Sequence, residues 1–310
     1  MTEQAATCQQ SSCQSNNAAL NAKIGSIKHT FIVMSGKGGV GKSTVSVNLA
    51  LSLSMQGLKT GILDVDIHGP SVPKMLGLAN EKIKFVDDQI VPQEVYDGLK
   101  VISMGFLLNS SEDAVILRGP AKAGIIRQFF ENVAWGDLDC LVVDCPPGTG
   151  DEPLSVVQLL DTAKSSAVIV TTPQQLATID VEKSIDFCRQ LKLPINGIVE
   201  NMSGFICPHC HAEANIFSAG GGYKLAQKFV VPFLGTIPID PDIARSGDEE
   251  RPYLSAYPTT ETAARFGEIV ERLRSVYLEL RNKPEADSCC GGSKAQQCSE
   301  PGECCSGQER

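Results

Sequence analysis

The chain has 310 residues, enough for one large α/β domain or two smaller ones, and its 42% hydrophobic content provides for a sizeable core. A net charge of −9 with a pI near 5.0 argues against nucleic acid or an anionic membrane surface as the main partner. The N-terminal stretch shows no basic start followed by an apolar run, and nowhere does the chain approach the apolar length of a membrane span, so the expected setting is cytoplasmic.

In such a reducing compartment the 12 cysteines read as metal ligands, thiols with a task or small core residues, rather than as a disulfide framework. Residues 1–29 are expected to form a flexible segment: MTEQAATCQQSSCQSNNAA holds Cys8 and Cys13 and almost no large apolar side chain. The apolar run FIVM (31–34) then opens an alternation of strand-like and helical stretches, and it leads straight into SGKGGVGKST. There Gly36, Gly41, Lys42 and Ser43 satisfy G-x-x-x-x-G-K-[ST], between a strand and the helical stretch STVSVNLALSLSM (43–55). Glycines let backbone N–H groups turn inward around phosphates, Lys42 adds positive charge, Ser43 can ligate Mg²⁺, and the helix N-terminus favours an anion. The candidate nucleotide-binding residues are therefore Gly36, Lys37, Gly38, Gly39, Val40, Gly41, Lys42, Ser43 and Thr44.

Farther along, GILDVD (61–66) ends in Asp64 and Asp66, and VISMGF (101–106) reads as another strand. CLVVDC (140–145) sets Asp144 at the end of a buried strand, where a carboxylate is costly unless it meets a cation or donors; a Mg²⁺ shell is one such partner. Cys140, Cys145 and Cys188 lie in apolar runs and read as core residues. The strand AVIVTT (167–172), the helix QQLATIDVEKSIDFCRQL (174–191) and the strand INGIVENM (195–202), with Asn201 near its end, continue the pattern. No N-K-x-D string for guanine is present outside NKPE (282–285), which lacks the aspartate, and this favours adenine.

GFICPHCHAE (204–213) then offers Cys207 and Cys210, two thiols where a tetrahedral sulfur site needs four, with no second pair in the neighbouring sequence. Zinc completed by His209 or His211 is an alternative, although both crowd the cysteines. A thiol–disulfide pair is another, but it wants a helix N-terminus, and HAEANIFSAGGG is a poor helix. After the strand FLGTIP (233–238), residues 262–280 space Phe266, Ile269, Val270, Leu273, Tyr277 and Leu280 as one helical face suited to core docking. The tail, residues 282–310, is expected to be flexible and carries Cys289, Cys290, Cys298, Cys304 and Cys305, reactive thiols of a kind that exposed segments avoid unless they have a use. Continuous apolar strands with intervening helices predict a mostly parallel central sheet with helices on both faces.

DVDIHGPSVPKMLG, RGP (118–120), DCPPGTGDEPLS, TTPQQLA, ENMSGFICPHC and GTIPIDPDIARSGD occur in this order. Together they resemble the Mrp/ApbC family of iron–sulfur cluster carrier ATPases, and GKGGVGKST resembles the deviant Walker P-loop of the wider MinD, ParA and nitrogenase iron-protein group. The resemblance implies a P-loop ATPase domain at 30–281 with a CxxC insertion at 203–222. It implies ATP and Mg²⁺, with Lys37 reaching across a homodimer to the partner's nucleotide. Lys37, Lys42 and Asp66 would be catalytic, Asp66 orienting the attacking water. Ser43, Asp64 and Asp144 would serve the Mg²⁺, and Asn201 the base, with IPID (237–240) as the pocket's other wall. Cys207 and Cys210 of two copies would hold one 4Fe–4S cluster, passed to apo iron–sulfur client proteins together with cluster-assembly factors.

The chain departs from the family in lacking the small N-terminal domain of many bacterial members, in keeping only Cys8 and Cys13 of another branch's four N-terminal cysteines, and in placing Glu249 and Glu250 where small residues are common. The competing expectations are a positioning ATPase of the MinD/ParA kind, which calls for a membrane helix or a basic surface, and a zinc or thiol-redox protein with a nucleotide site.

Overall fold

The computed structural model describes residues 26–282 except 68, 97, 108–118, 175, 207–212, 215 and 217–218. The expectations at Cys8, Cys13, Cys207, His209, Cys210, His211 and the cysteines of the tail lie outside the described residues.

Strand β1 (Ile27–Ser35) leads through the glycine loop into α1 (Lys42–Met55), then β2 (Thr60–Asp64) and the short α2 (Val72–Met75). Three short strands follow, β3 (Lys84–Val86), β4 (Gln89–Val91) and β5 (Gln93–Val95), before β6 (Leu99–Ser103) and α3 (Gly119–Glu131). The chain continues with β7 (Leu138–Asp144), α4 (Asp151–Leu159), β8 (Ser165–Thr171), α5 (Leu176–Gln190) and the long β9 (Ile195–Ile206). It ends with β10 (Glu213–Ala214), α6 (Gly221–Phe229), β11 (Phe233–Ile239), α7 (Pro241–Asp248), α8 (Tyr253–Ala256) and α9 (Glu261–Asn282).

Nine strands share one sheet in the order β10-β9-β8-β1-β7-β2-β6-β5, with β11 also on β9. The interior pairings are parallel. Antiparallel pairing is confined to β5 on β6 and β10 on β9, while β3 and β4 form a separate hairpin. β1 lies between β7 and β8, so the loop that follows it opens at the carboxyl edge of the sheet, where the chain turns to opposite sides. That is the place where open α/β sheets bind ligands.

β1 shows why its apolar run does not alternate with polar residues. Phe31 and Val33 enter one core cluster, with Val45, Leu49 and Leu53 of α1 and Phe266, Ile269, Val270 and Leu273 of α9. Ile32 and Met34 point the other way, into a cluster with Phe129 and Phe130 of α3 and Val156 of α4. Successive side chains face opposite sides, and both sides are covered, so every position must be apolar. Cys140 belongs to the first cluster, Cys145 and Cys188 to the second. Burial pushes the thiols of Cys140 and Cys188 up to about 12 and that of Cys145 higher still, which makes all three inert packing groups.

The long α9 docks through Phe266, Ile269, Val270 and Leu273, with Tyr277 packed at the margin. Some boundaries differ from the sequence expectation. β1 starts at Ile27, ahead of residue 30, because Ile27 pairs with Leu138 and is buried. The strand expected over 101–106 stops at Ser103 and turns into a short 3-10 segment at Met104–Leu107. The strand over 61–66 stops at Asp64, whose carboxylate accepts from the backbone N–H of Asp66 and turns the chain.

Candidate functional site

The loop after β1 wraps the N-terminus of α1. Gly39 and Gly41 have φ of 77° and 78°, the left-handed region that glycine adopts without strain. Gly41 also packs so closely on the Asn201 side chain that a Cβ there would overlap it. Gly36 packs as closely against the backbone of Asp180 in α5. A pocket of about 230 Å³ is lined by Lys37, Gly38, Gly39, Gly41, Lys42, Ser43 and Thr44 of the loop, and by Asp66, Ser71 and Pro147 from neighbouring ones. Val40 is buried beneath it. The backbone N–H of Gly148 donates to the Ser35 carbonyl at 2.8 Å and so ties the loop after β7 to the end of β1.

Under the loop lies a polar cluster made by strand register. β7 sits between β1 and β2, with Asp144 opposite Val33 on one side and Asp64 on the other. Asp144 is fully buried. Its Oδ1 accepts from Lys42 Nζ at 2.7 Å and from Ser46 Oγ at 2.6 Å, and its Oδ2 accepts from Ser43 Oγ at 2.6 Å. A buried carboxylate of this kind is tolerated because a cation and two hydroxyls satisfy it. Burial alone would push the Lys42 ammonium down, but the charge and hydrogen bond of Asp144, with the fields of Asp64 and Asp66, hold it above the ordinary lysine value. Asp64 accepts from the Asp66 N–H at 3.0 Å and from Ser103 Oγ at 2.9 Å. Burial, and then the negative Asp144 beside it, push the Asp64 carboxyl up to about 8, against the pull of the Asp66 amide, Lys42 and Ser103. Asp66, by contrast, reaches the pocket wall.

The hard oxygens of Ser43 and Asp144, adjacent beneath a phosphate-sized pocket, are a donor set that suits Mg²⁺, which takes one or two carboxylates and fills its shell with phosphate and water.

A second cleft of about 640 Å³ shares Gly41, Thr44, Ser71 and Met75 with the first and extends it. Its walls are Met75 on one side, Asn201 and Met202 from the middle of β9, and Pro238, Ile239, Asp240, Ile243 and Ala244. It is mostly apolar and has the proportions for a flat heterocycle with its sugar. Asn201 Nδ2 donates to the Val40 carbonyl at 2.8 Å, so this side chain both lines the cleft and braces the glycine loop. Gly247 and Asp248 border the cleft, whereas Glu249 and Glu250 lie outside its lining.

The structure thus gathers Lys37, Lys42, Ser43, Thr44 and Asp66 around one pocket, with Asp144 and Asp64 beneath it and Asn201 at its far wall. Sequence reasoning missed Ser46, although its place three residues after Ser43 puts both hydroxyls on one helix face. It also missed Ser103, which only the β2–β6 register brings to Asp64. Asp240, expected as part of a wall, also accepts from the Asp242 N–H at 2.9 Å and so caps α7 beside the cleft.

Residues 26–274 match the family model described as ParA: NUBPL iron-transfer P-loop NTPase. This chain belongs to that family. Among curated relatives of the NUBPL iron-transfer NTPases, a "Cytosolic Fe-S cluster assembly factor NUBP2 homolog" of Monosiga brevicollis is 49% identical over 79% of this chain and 88% of its own length. The "Cytosolic Fe-S cluster assembly factor CFD1" of Saccharomyces cerevisiae is 46% identical over 82% of this chain and 89% of its own. A solved nucleotide-binding protein of Archaeoglobus fulgidus, in complex with ADP, superimposes with a TM-score of 0.68 at 42% identity, covering 76% of this chain and 92% of that one. The cell-division ATPase MinD of Pyrococcus furiosus, at 21% identity and a TM-score of 0.58, shares the fold.

Proposed function

We propose that this chain is an ATP-hydrolysing carrier that binds a 4Fe–4S cluster between two copies of itself and hands it to apoproteins. The observation that carries the reading is the layout of β9. This strand bears Asn201, which braces the glycine loop, and it runs directly into the segment with Cys207 and Cys210. One strand therefore carries a residue of the nucleotide site and leads, in sequence, into the segment that holds half of a thiolate ligand set. The relatives' names support the cargo, the fold's match to the ADP complex supports the nucleotide, and the same names support a cytosolic setting. Among the described residues no helix is long and apolar enough to cross a membrane, and the apolar face of α9 is used in the core, which removes the feature a membrane-positioning ATPase would need.

In this reading Gly36–Thr44 hold the phosphates, and Asn201 with residues 237–240 encloses the adenine. Ser43 and Asp144 hold Mg²⁺, with Asp64 behind them, and the ion neutralises phosphate charge when bound. Asp66 orients the attacking water. Lys37 acts on the nucleotide of the second copy. Two copies supply four thiolates through Cys207 and Cys210, the ligation a 4Fe–4S cluster takes. The tail cysteines capture incoming iron or cover the shared cluster.

The test is anaerobic purification of wild type, Cys207→Ala and Cys210→Ala, with iron, sulfide and zinc quantified alongside ATP binding. The expected result is iron and sulfide in equal amounts in the wild type, lost in both variants with ATP binding intact. Full iron in Cys207→Ala, or zinc without iron in the wild type, would overturn the ligand assignment.

A further inference from the structure

Glu200 is a fully buried carboxylate in the interior of the sheet, flanked by Thr171 of β8 and Thr236 of β11. No lysine or arginine among the described residues forms an ion pair with it. A buried charge of this kind persists only where donors converge on it. They come from both ends of one segment. Ser203 Oγ, just before the cysteines, donates to Oε1 at 2.5 Å; the N–H of Gly220 donates to Oε1 at 3.1 Å, and the N–H of Gly222 donates to Oε2. The last two are free amides at the start of α6, where the helix dipole also favours a negative group.

The run Gly220-Gly221-Gly222 is what lets α6 come this close. Gly220 has φ of 78°, a Cβ on Gly221 would lie 2.6 Å from the Pro173 carbonyl oxygen, and one on Gly222 would lie 3.0 Å from Glu200 Oε2 and 3.1 Å from Glu200 Cβ. The next residue along β9 is Asn201, bonded to the Val40 carbonyl of the glycine loop. Met202, between the two contacts, has φ of 58°, so the strand bends between its hold on the loop and its hold on the segment.

We propose that Glu200 is a positioning residue whose carboxylate clamps the two ends of segment 203–222 to β9, one residue from the side chain that braces the P-loop. Through this clamp a shift of the loop on nucleotide binding is passed to the stem of the cysteine-bearing segment. The proposal rests on the functional reading above only in assigning that segment the cargo; the clamp itself is read without cargo.

The experiment is hydrogen–deuterium exchange on the metal-free full chain, wild type against Glu200→Gln, with and without ATP and Mg²⁺. Glutamine keeps the shape but turns one acceptor into a donor facing the Gly222 N–H. Exchange at residues 219–224 is expected to rise about tenfold or more, the scale of losing a hydrogen bond to a charged group, while α1 stays protected and ATP affinity is unchanged. In the wild type ATP is expected to change exchange at 219–224, and Glu200→Gln is expected to lose that response. A merely structural role would speed exchange in α1 as well and keep the nucleotide response. Uniform acceleration, unaltered exchange at 219–224, or a wild type in which ATP leaves 219–224 unaffected each overturns the proposal. Should Glu200→Gln not fold, Ser203→Ala removes one donor at a half-buried position and is expected to give a smaller acceleration in the same place; none would overturn the clamp. Absence of iron from the wild type would end the carrier reading and leave this exchange pattern standing.

Discussion

Asp144 commits both of its oxygens to its own chain, through Lys42, Ser43 and Ser46. Removing its charge strands a buried ammonium. Asp144→Asn is therefore expected to lower unfolding free energy, measured by urea titration without nucleotide, by about 3–5 kcal/mol. Ser46→Ala removes a single donor and is expected to cost about 1–3 kcal/mol; the reverse ranking would refute this account of the cluster. Asp64 carries a pH signature. Its carboxyl is held up to about 8 in the folded chain against an ordinary value of 3.8, so the folded state keeps a proton that the unfolded chain releases. The stability this contributes is complete below about pH 4 and is lost as pH rises through about 8. Asp64→Asn cannot ionise, and its thermal midpoint is expected to fall less across that range than the wild type's; parallel curves would contradict the assignment. Lys42, Ser43 and Asp144 were legible in the sequence because a loop motif and a strand-end acid each announce themselves locally. Ser103 and the bond from Asn201 to Val40 were not, because each depends on how distant strands align. Glu200 was not singled out either, because two of its three partners, Gly220 and Gly222, lie past a stretch of sequence with no helical pattern.

The elements that the sequence announced are those buried on both sides or on one helical face. β1, β2, β7 and β8 each contain an apolar run, such as FIVM in β1, and α9 reads as a stripe from Phe266 to Leu280, of which Phe266, Ile269, Val270 and Leu273 are buried in the core. Phe266 is fully buried between α1 and the sheet, and Phe266→Ala is expected to cost about 3–5 kcal/mol in urea unfolding. The hairpin of β3 and β4 escaped prediction because its strands are three residues long and, of their six side chains, only Ile90 is buried, which leaves no alternation to read. Phe85 there is 67% exposed, so Phe85→Ser is expected to change stability by no more than about 0.5 kcal/mol. A large loss on Phe85→Ser would mean that the hairpin packs against something in solution. The antiparallel edge strand β10 was equally silent, being two residues long.

For the molecule as a whole, the proposed function needs two copies, and in that proposal Lys37 acts on the second. It lines the phosphate pocket of its own chain half-buried. Lys37→Ala is expected to bind ATP as one chain nearly as well as wild type, yet to lose ATP-dependent pairing in sedimentation. Hydrolysis should fall by about a thousandfold or more, the scale of a charge supplied in trans to a transferring phosphate. Undiminished pairing and turnover would assign the lysine to its own loop alone.

The order of strands in the sheet bears on how the protein is made. β1 is the first of the described strands in chain order, yet its neighbours are β7 and β8, and Lys42 meets its counter-charge 102 positions later. Contacts so distant in sequence form late and slowly. A chain that stops short of Ser165 leaves one flank of β1 with unpaired backbone N–H and C=O groups, a bare strand edge open to pairing with another chain.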